Sequence, residues 1–205
     1  MEKRLVIGIG TGRCGTKTLA ALLNMQEGAM VSHEMFGSNL TWKPDPIFIE
    51  AVEWKFAEGS NRLFGDVALN WLPYVMMFSS KELRPIVLQR DRRSTVKSLL
   101  NRAGDRDWWR RGVTEDADWF KAMPTYNDTM TKREAVERYY DEYYAECMEL
   151  QDIFGDRLLW VRTEDLSSEA EQRRILAHVG YEPDEMRIDT RLNIRTKGEF
   201  KEVVG

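Results

Sequence analysis

The chain has 205 residues, 42% of them hydrophobic and 31% charged, which supports a sizeable core and argues against disorder. A net charge of −4 argues against a bulk nucleic-acid binder, which needs a basic face. No stretch approaches the roughly 20 apolar residues of a membrane helix.

Only two cysteines, Cys14 and Cys147, and two histidines, His33 and His178, are present. That excludes a disulfide framework and a zinc spacing, and makes a histidine-based metal site improbable. A reducing cytoplasm is the simplest expected setting. The apolar run near Met1 is too short for a signal peptide. One domain over residues 1–205 is expected.

The elements follow in chain order. Leu5–Ile9 is a short β-branched run ended by glycines, and reads as a buried parallel strand. Leu19, Leu22 and Leu23 make an apolar stripe on a helix over Thr16–Met25. A strand is expected near Met30–His33, a helix over Pro46–Ala57 and a strand over Leu63–Val67. Another helix begins at Trp71–Phe78. Arg84–Gln89 is a strand and Arg92–Arg102 a helix.

Residues 103–131 carry Trp108, Trp109, Trp119 and Phe120 among many charges with little periodicity. They read as an insertion or lid, whose aromatic cluster either lines a pocket or packs the insertion. Lys132–Phe154 is the clearest helix. Its Tyr139, Tyr140, Tyr143 and Tyr144 read as a packing stripe and its flanks, and Gly155 as a left-handed cap. Leu158–Val161 is a strand, and Ser167 or Ser168 caps a helix that Gly180 ends. Strands alternating with helices predict an α/β protein with a parallel sheet and helices on both faces.

Two segments carry anion-binding chemistry. After the first strand the chain reads Gly8-Ile9-Gly10-Thr11-Gly12-Arg13-Cys14-Gly15-Thr16-Lys17-Thr18. A glycine-rich turn brings backbone N–H groups onto one oxyanion, and the following helix adds unpaired N–H groups and a partial positive charge. Arg13 and Lys17 add cations, and Thr16 and Thr18 add hydroxyls. The spacing is not that of a Walker A loop, G-x-x-x-x-G-K-[ST], because Thr16 follows Gly15 and the lysine arrives one place late, about 100° further round the helix. Nor does it fit G-x-G-x-x-G, because Arg13 stands at the last position. In the second segment Arg90 closes a strand, at the sheet edge where such folds bind ligands. Ser98 and Arg102 share one face of the next helix.

With both segments in view, the chain resembles the sulfotransferases that use 3′-phosphoadenosine-5′-phosphosulfate (PAPS), most closely the bacterial-type and protein-tyrosine-sulfating branch. Arg13-Cys14-Gly15-Thr16-Lys17 is similar to that family's phosphosulfate loop, R-[SG]-G-T-[TR]. Arg90-Asp91-Arg92-Arg93 with Ser98 in register is similar to R-D-x-R-x-x-x-x-S, which holds the 3′-phosphate, and Arg102 matches a further arginine of the tyrosine-sulfating branch. Val161-Arg162-Thr163-Glu164-Asp165-Leu166 is similar to V-R-Y-E-D-L, and Arg195-Thr196-Lys197-Gly198 resembles a C-terminal R-K-G element. Cys14 replaces the usual serine or glycine, and Thr163 stands where an aromatic is common. Gly65 precedes Asp66 where the tyrosine-sulfating branch has a lysine.

The resemblance implies a three-layer P-loop-like fold with a central parallel sheet. It implies sulfuryl transfer from PAPS, as co-substrate and with no metal required, to a hydroxyl or amine of a small-molecule, carbohydrate or peptide acceptor, giving 3′,5′-ADP. Arg13, Cys14, Gly15, Thr16, Lys17, Thr18, Arg90, Ser98 and Arg102 would bind the donor, and Arg13 and Lys17 would also neutralise the leaving oxygen. Glu34 stands at the branch's spacing for the base, His33 beside it is a rival, and Asp66 at another strand end is a third candidate. The competing readings are a P-loop nucleotide or small-molecule kinase and a non-catalytic nucleotide-binding relative. Neither the acceptor nor the oligomeric state is encoded in a readable pattern.

Overall fold

A computed structural model of the chain describes residues 2–35, 42, 45–101, 124–126 and 129–192. Five strands form one sheet: β1 (Arg4–Ile9), β2 (Ala29–His33), β3 (Leu63–Val67), β4 (Leu83–Gln89) and β5 (Leu159–Arg162). Their order is β2-β3-β1-β4-β5 and every pairing is parallel. The helices are α1 (Thr16–Asn24), α2 (Pro46–Glu58), α3 (Arg92–Leu100), α4 (Lys132–Phe154) and α5 (Glu169–His178).

Side chains alternate across a strand, so each strand feeds two cores. Leu5, Ile7 and Ile9 point to the face covered by α2, α3 and α4, with Trp71, Tyr139 and Tyr143 fully buried there. Val6, Ile86 and Leu88 point to the face covered by α1 and α5, against Leu19, Leu22, Ile175 and Leu176. The α/β expectation therefore holds, with helices on both faces of an all-parallel sheet.

Several boundaries differ by a residue or two from the sequence reading. One element differs in kind: Leu69–Met77 is a 3₁₀ helix with Pro73 inside it. Pro73 has no N–H to donate and its ring crowds the preceding turn, which disfavours a regular α-helix there. The expected left-handed cap at Gly155 is also corrected. Its φ of 53° is positive, but ψ is −128°, outside the left-handed helical basin. The capping of α4 is instead strong at its start. Thr131 accepts from Glu134 N, and the Glu134 carboxylate accepts from Thr131 N.

Most of the 103–131 insertion lies outside the described residues, including Trp108, Trp109, Trp119 and Phe120, as do Arg102 and the 195–198 segment. Tyr126 is described. It packs in the larger core and donates to Glu142 Oε2 at 2.8 Å. Among the described residues, no helix is long and apolar enough to cross a membrane.

Candidate functional site

The sheet order reverses around β1: β3 and β2 lie to one side of it, β4 and β5 to the other. A crevice opens at the carboxyl ends of such strands. Here it is a cleft of about 780 Å³, and the loop from β1 into α1 forms its floor.

Loop conformation comes from two residues with positive φ. Gly15, the residue before α1, has φ 88°, and a Cβ there would meet Leu166 Cδ1 at 2.7 Å. Arg13 has φ 75° with no glycine to relieve it. A non-glycine residue in this region costs about 1–2 kcal/mol, and such strain persists only where neighbours enforce it. Arg90 supplies that restraint by donating from Nη1 to Arg13 O at 3.1 Å. The Arg13 side chain donates from Nε to Ser98 Oγ at 3.3 Å. The two segments singled out by sequence are thus physically joined.

Arg13, Gly15, Thr16, Lys17, Thr18 and Arg90 all line the cleft. Ser98 does not line it and reaches it only through Arg13. Cys14 departs from its expected role. Its side chain is fully buried in the smaller core, and burial pushes its thiol up to about 12, so it stays a neutral packing group. Only the main chain of Cys14 is left to meet a ligand. Asp91 is occupied as the cap of α3, where its carboxylate accepts from Ser94 N at 2.8 Å.

His33 ends β2, Glu34 follows it, and both line the same cleft. Glu34 has φ 57° and is exposed, whereas His33 is half-buried. His33 Nε2 lies 3.0 Å from Thr16 Oγ1 and 3.7 Å from Glu34 Oε1. Burial holds the His33 pKa below its ordinary value. Lys17 pushes the same way, while Glu34 and Asp66 oppose it.

Asp66 is almost completely buried and does not line the cleft. Its Oδ1 accepts from Ser32 Oγ at 2.7 Å and from Met35 N at 3.3 Å, and its Oδ2 accepts from Trp71 Nε1 at 2.9 Å. These bonds clamp the residues on either side of His33 and Glu34. Asp66 therefore positions that pair and has no access to a substrate proton.

Three features of the site were not assigned from sequence. Ser94, Leu69, Thr163 and Glu164 also line the cleft. Thr163 Oγ1 donates to Cys14 O, and Glu164 Oε1 accepts from Asp91 N at 3.2 Å, so the turn after β5 braces both the β1–α1 loop and the start of α3. The third feature is a set of tyrosines on α4. Tyr143 accepts from Gly10 N and donates to Leu69 O, both at 2.8 Å. Tyr144 donates to Leu88 O at 2.7 Å, and Tyr140 donates to Arg90 O at 2.8 Å. The signal was available in their identity. A purely packing stripe has no need of hydroxyls, and buried hydroxyls require partners.

No family model and no curated protein matches the chain.

Proposed function

We propose that the chain is a PAPS-dependent sulfotransferase of the P-loop-like, three-layer type. The observation that carries this reading is the convergence of the Arg13–Thr18 loop and Arg90 on one cleft whose other wall holds His33 and Glu34. The sheet order, with the loop following the central strand β1, supports the fold type. The resemblance of both anion segments to the sulfotransferase motifs supports the donor.

In this reading the phosphosulfate lies over the start of α1. Loop N–H groups, the Thr16 and Thr18 hydroxyls, Arg13 and Lys17 surround it. Arg90 takes the 3′-phosphate. An acceptor hydroxyl or amine attacks sulfur in line, the bond from sulfur to the bridging oxygen breaks, and 3′,5′-ADP leaves. Positioning and charge stabilisation supply most of the rate, as in phosphoryl transfer. The acceptor's proton passes to Glu34, the carboxylate exposed to the cleft.

A kinase reading is weaker because Asp91, the acidic residue after β4, spends its carboxylate on the α3 cap. The test is calorimetry with 3′,5′-ADP. Micromolar-range binding is expected, and Arg90→Ala should abolish it while the protein stays folded. Absence of binding to intact, folded protein overturns the reading, as does magnesium-dependent ATP binding indifferent to a 3′-phosphate.

A further inference from the structure

The contacts of His33 separate it from an acceptor base. A base steered by a carboxylate offers one ring nitrogen to the substrate and gives the other to the carboxylate. Here Thr16 Oγ1, at 3.0 Å, and Glu34 Oε1, at 3.7 Å, both approach the same nitrogen, Nε2. That nitrogen faces a hydroxyl of the anion loop. The loop, His33, Glu34 and Lys17 share one cleft.

We propose that His33 is a positioning residue of the donor site: it holds the Thr16 hydroxyl while the loop is empty and takes up a proton when a dianion enters. The proposal rests on the reading of the loop as an anion site and not on the sulfuryl chemistry.

In the tautomer with its lone pair on Nε2, the neutral imidazole accepts the Thr16 proton while the loop is empty. Thr16 then turns its lone pairs toward the loop, which repels an anion. An incoming anion demands that proton for itself. Thr16 Oγ1 must then accept from Nε2, so Nε2 must carry a hydrogen. A neutral ring protonated on Nε2 meets that demand. A fully protonated ring meets it and adds a cation beside the anion, while Glu34 favours hydrogen on the same nitrogen. The proton comes from solvent, and no covalent bond other than N–H forms.

Three charged groups of the protein act on the ring. Lys17 on α1 disfavours the cation, Glu34 just after β2 and Asp66 on β3 favour it, and an entering dianion joins the second set. Burial favours the neutral ring beforehand, which leaves a proton to gain.

The chain has only two histidines, which makes the test direct. Imidazole pKa values of the full chain are measured by NMR between about pH 5.5 and 8, in sodium sulfate and in sodium chloride of equal ionic strength. Sulfate stays a dianion throughout. We expect the His33 value to rise by about 0.5–1 unit in sulfate, while the His178 ring resonances, the internal control, shift alike in the two salts. Reciprocally, sulfate should bind about 3–10-fold more weakly at the high end of the range than at the low end. In His33→Gln, which keeps a hydrogen-bonding side chain but does not titrate, that slope should flatten. Sulfate that shifts the resonances of Thr16 and Lys17 but leaves the His33 pKa unmoved overturns the inference and leaves the anion site standing. Sulfate that perturbs no loop resonance overturns both.

Discussion

Arg13 and Glu34 are the only described non-glycine residues with positive φ, at 75° and 57°, and both line the cleft. The chain tolerates this strain where it aims a guanidinium and a carboxylate into one space. Arg13 is held through its carbonyl by Arg90. Glu34 is held through its N–H, which donates to Val67 O at 3.2 Å, and through Asp66, which takes the next N–H. If Glu34 receives the acceptor's proton, Glu34→Gln should lower PAPS turnover by about 10²–10⁴-fold and leave 3′,5′-ADP affinity unchanged. Steady-state rates beside calorimetry check this, and unchanged turnover removes Glu34 from the role. At this scale the sequence was readable where position after a strand decides where a side chain goes, as for Arg13, Lys17 and Arg90, which all line the cleft. It was not readable for Cys14 or Asp66, because which way a side chain turns depends on neighbours far along the chain.

At the scale of elements, α4 does more than cover the sheet. Tyr140, Tyr143 and Tyr144 recur at three- and four-residue steps, so they share one helix face. Their hydroxyls reach the main chain at β1's exit, in β4 and just after it, and after β3. Burial keeps the Tyr143 phenol protonated, so it can donate to Leu69 O while accepting from Gly10 N. Tyr143→Phe removes both bonds, that to the buried Gly10 N–H and the part-buried one to Leu69 O, and should cost about 1–3 kcal/mol of stability. Urea unfolding measures that cost. Calorimetry with 3′,5′-ADP should show weaker binding as well, because the first turn of the loop loses its anchor. A variant as stable as the parent would show that the hydroxyl only fills space. Periodicity revealed the helix and its buried face. It could not reveal that the face presses on three strand ends at once, because that follows from where α4 lies across the sheet.

Across the whole molecule, acid sensitivity is expected to come from histidines that burial keeps neutral. His178 ends α5, on the side of the smaller core, and burial, aided by the cation of Arg84, pushes its pKa down to about 4. In the unfolded chain the value is about 6.5. The unfolded state therefore binds the extra proton first, and stability rises with pH between the two values. The fold should keep its full stability above about pH 6.5 and lose about 2 kcal/mol, after allowing for solvent screening, as pH falls toward 4. His33, also shifted down, adds to the loss in the same direction. Urea midpoints taken across that range should slope in the parent and slope less in His178→Gln. Equal slopes in both would exclude His178 as a source of the acid sensitivity.

The alternation of apolar runs with amphipathic stripes was sufficient to set an α/β chain with parallel strands, because hydrophobic period and turn chemistry are local properties. The order of glycines, cations and hydroxyls after β1 likewise singled out a loop that lines the cleft. Strand order was not local. Only the folded sheet puts β1 between β3 and β4, and so brings Arg90 to the carbonyl of Arg13 and His33 to the hydroxyl of Thr16. The same packing shows why Gly65 carries no side chain: a Cβ there would lie 1.9 Å from Val6 O. Contacts of this kind join residues distant in sequence, and their energies depend on burial and distance, which exist only once the chain has closed on itself.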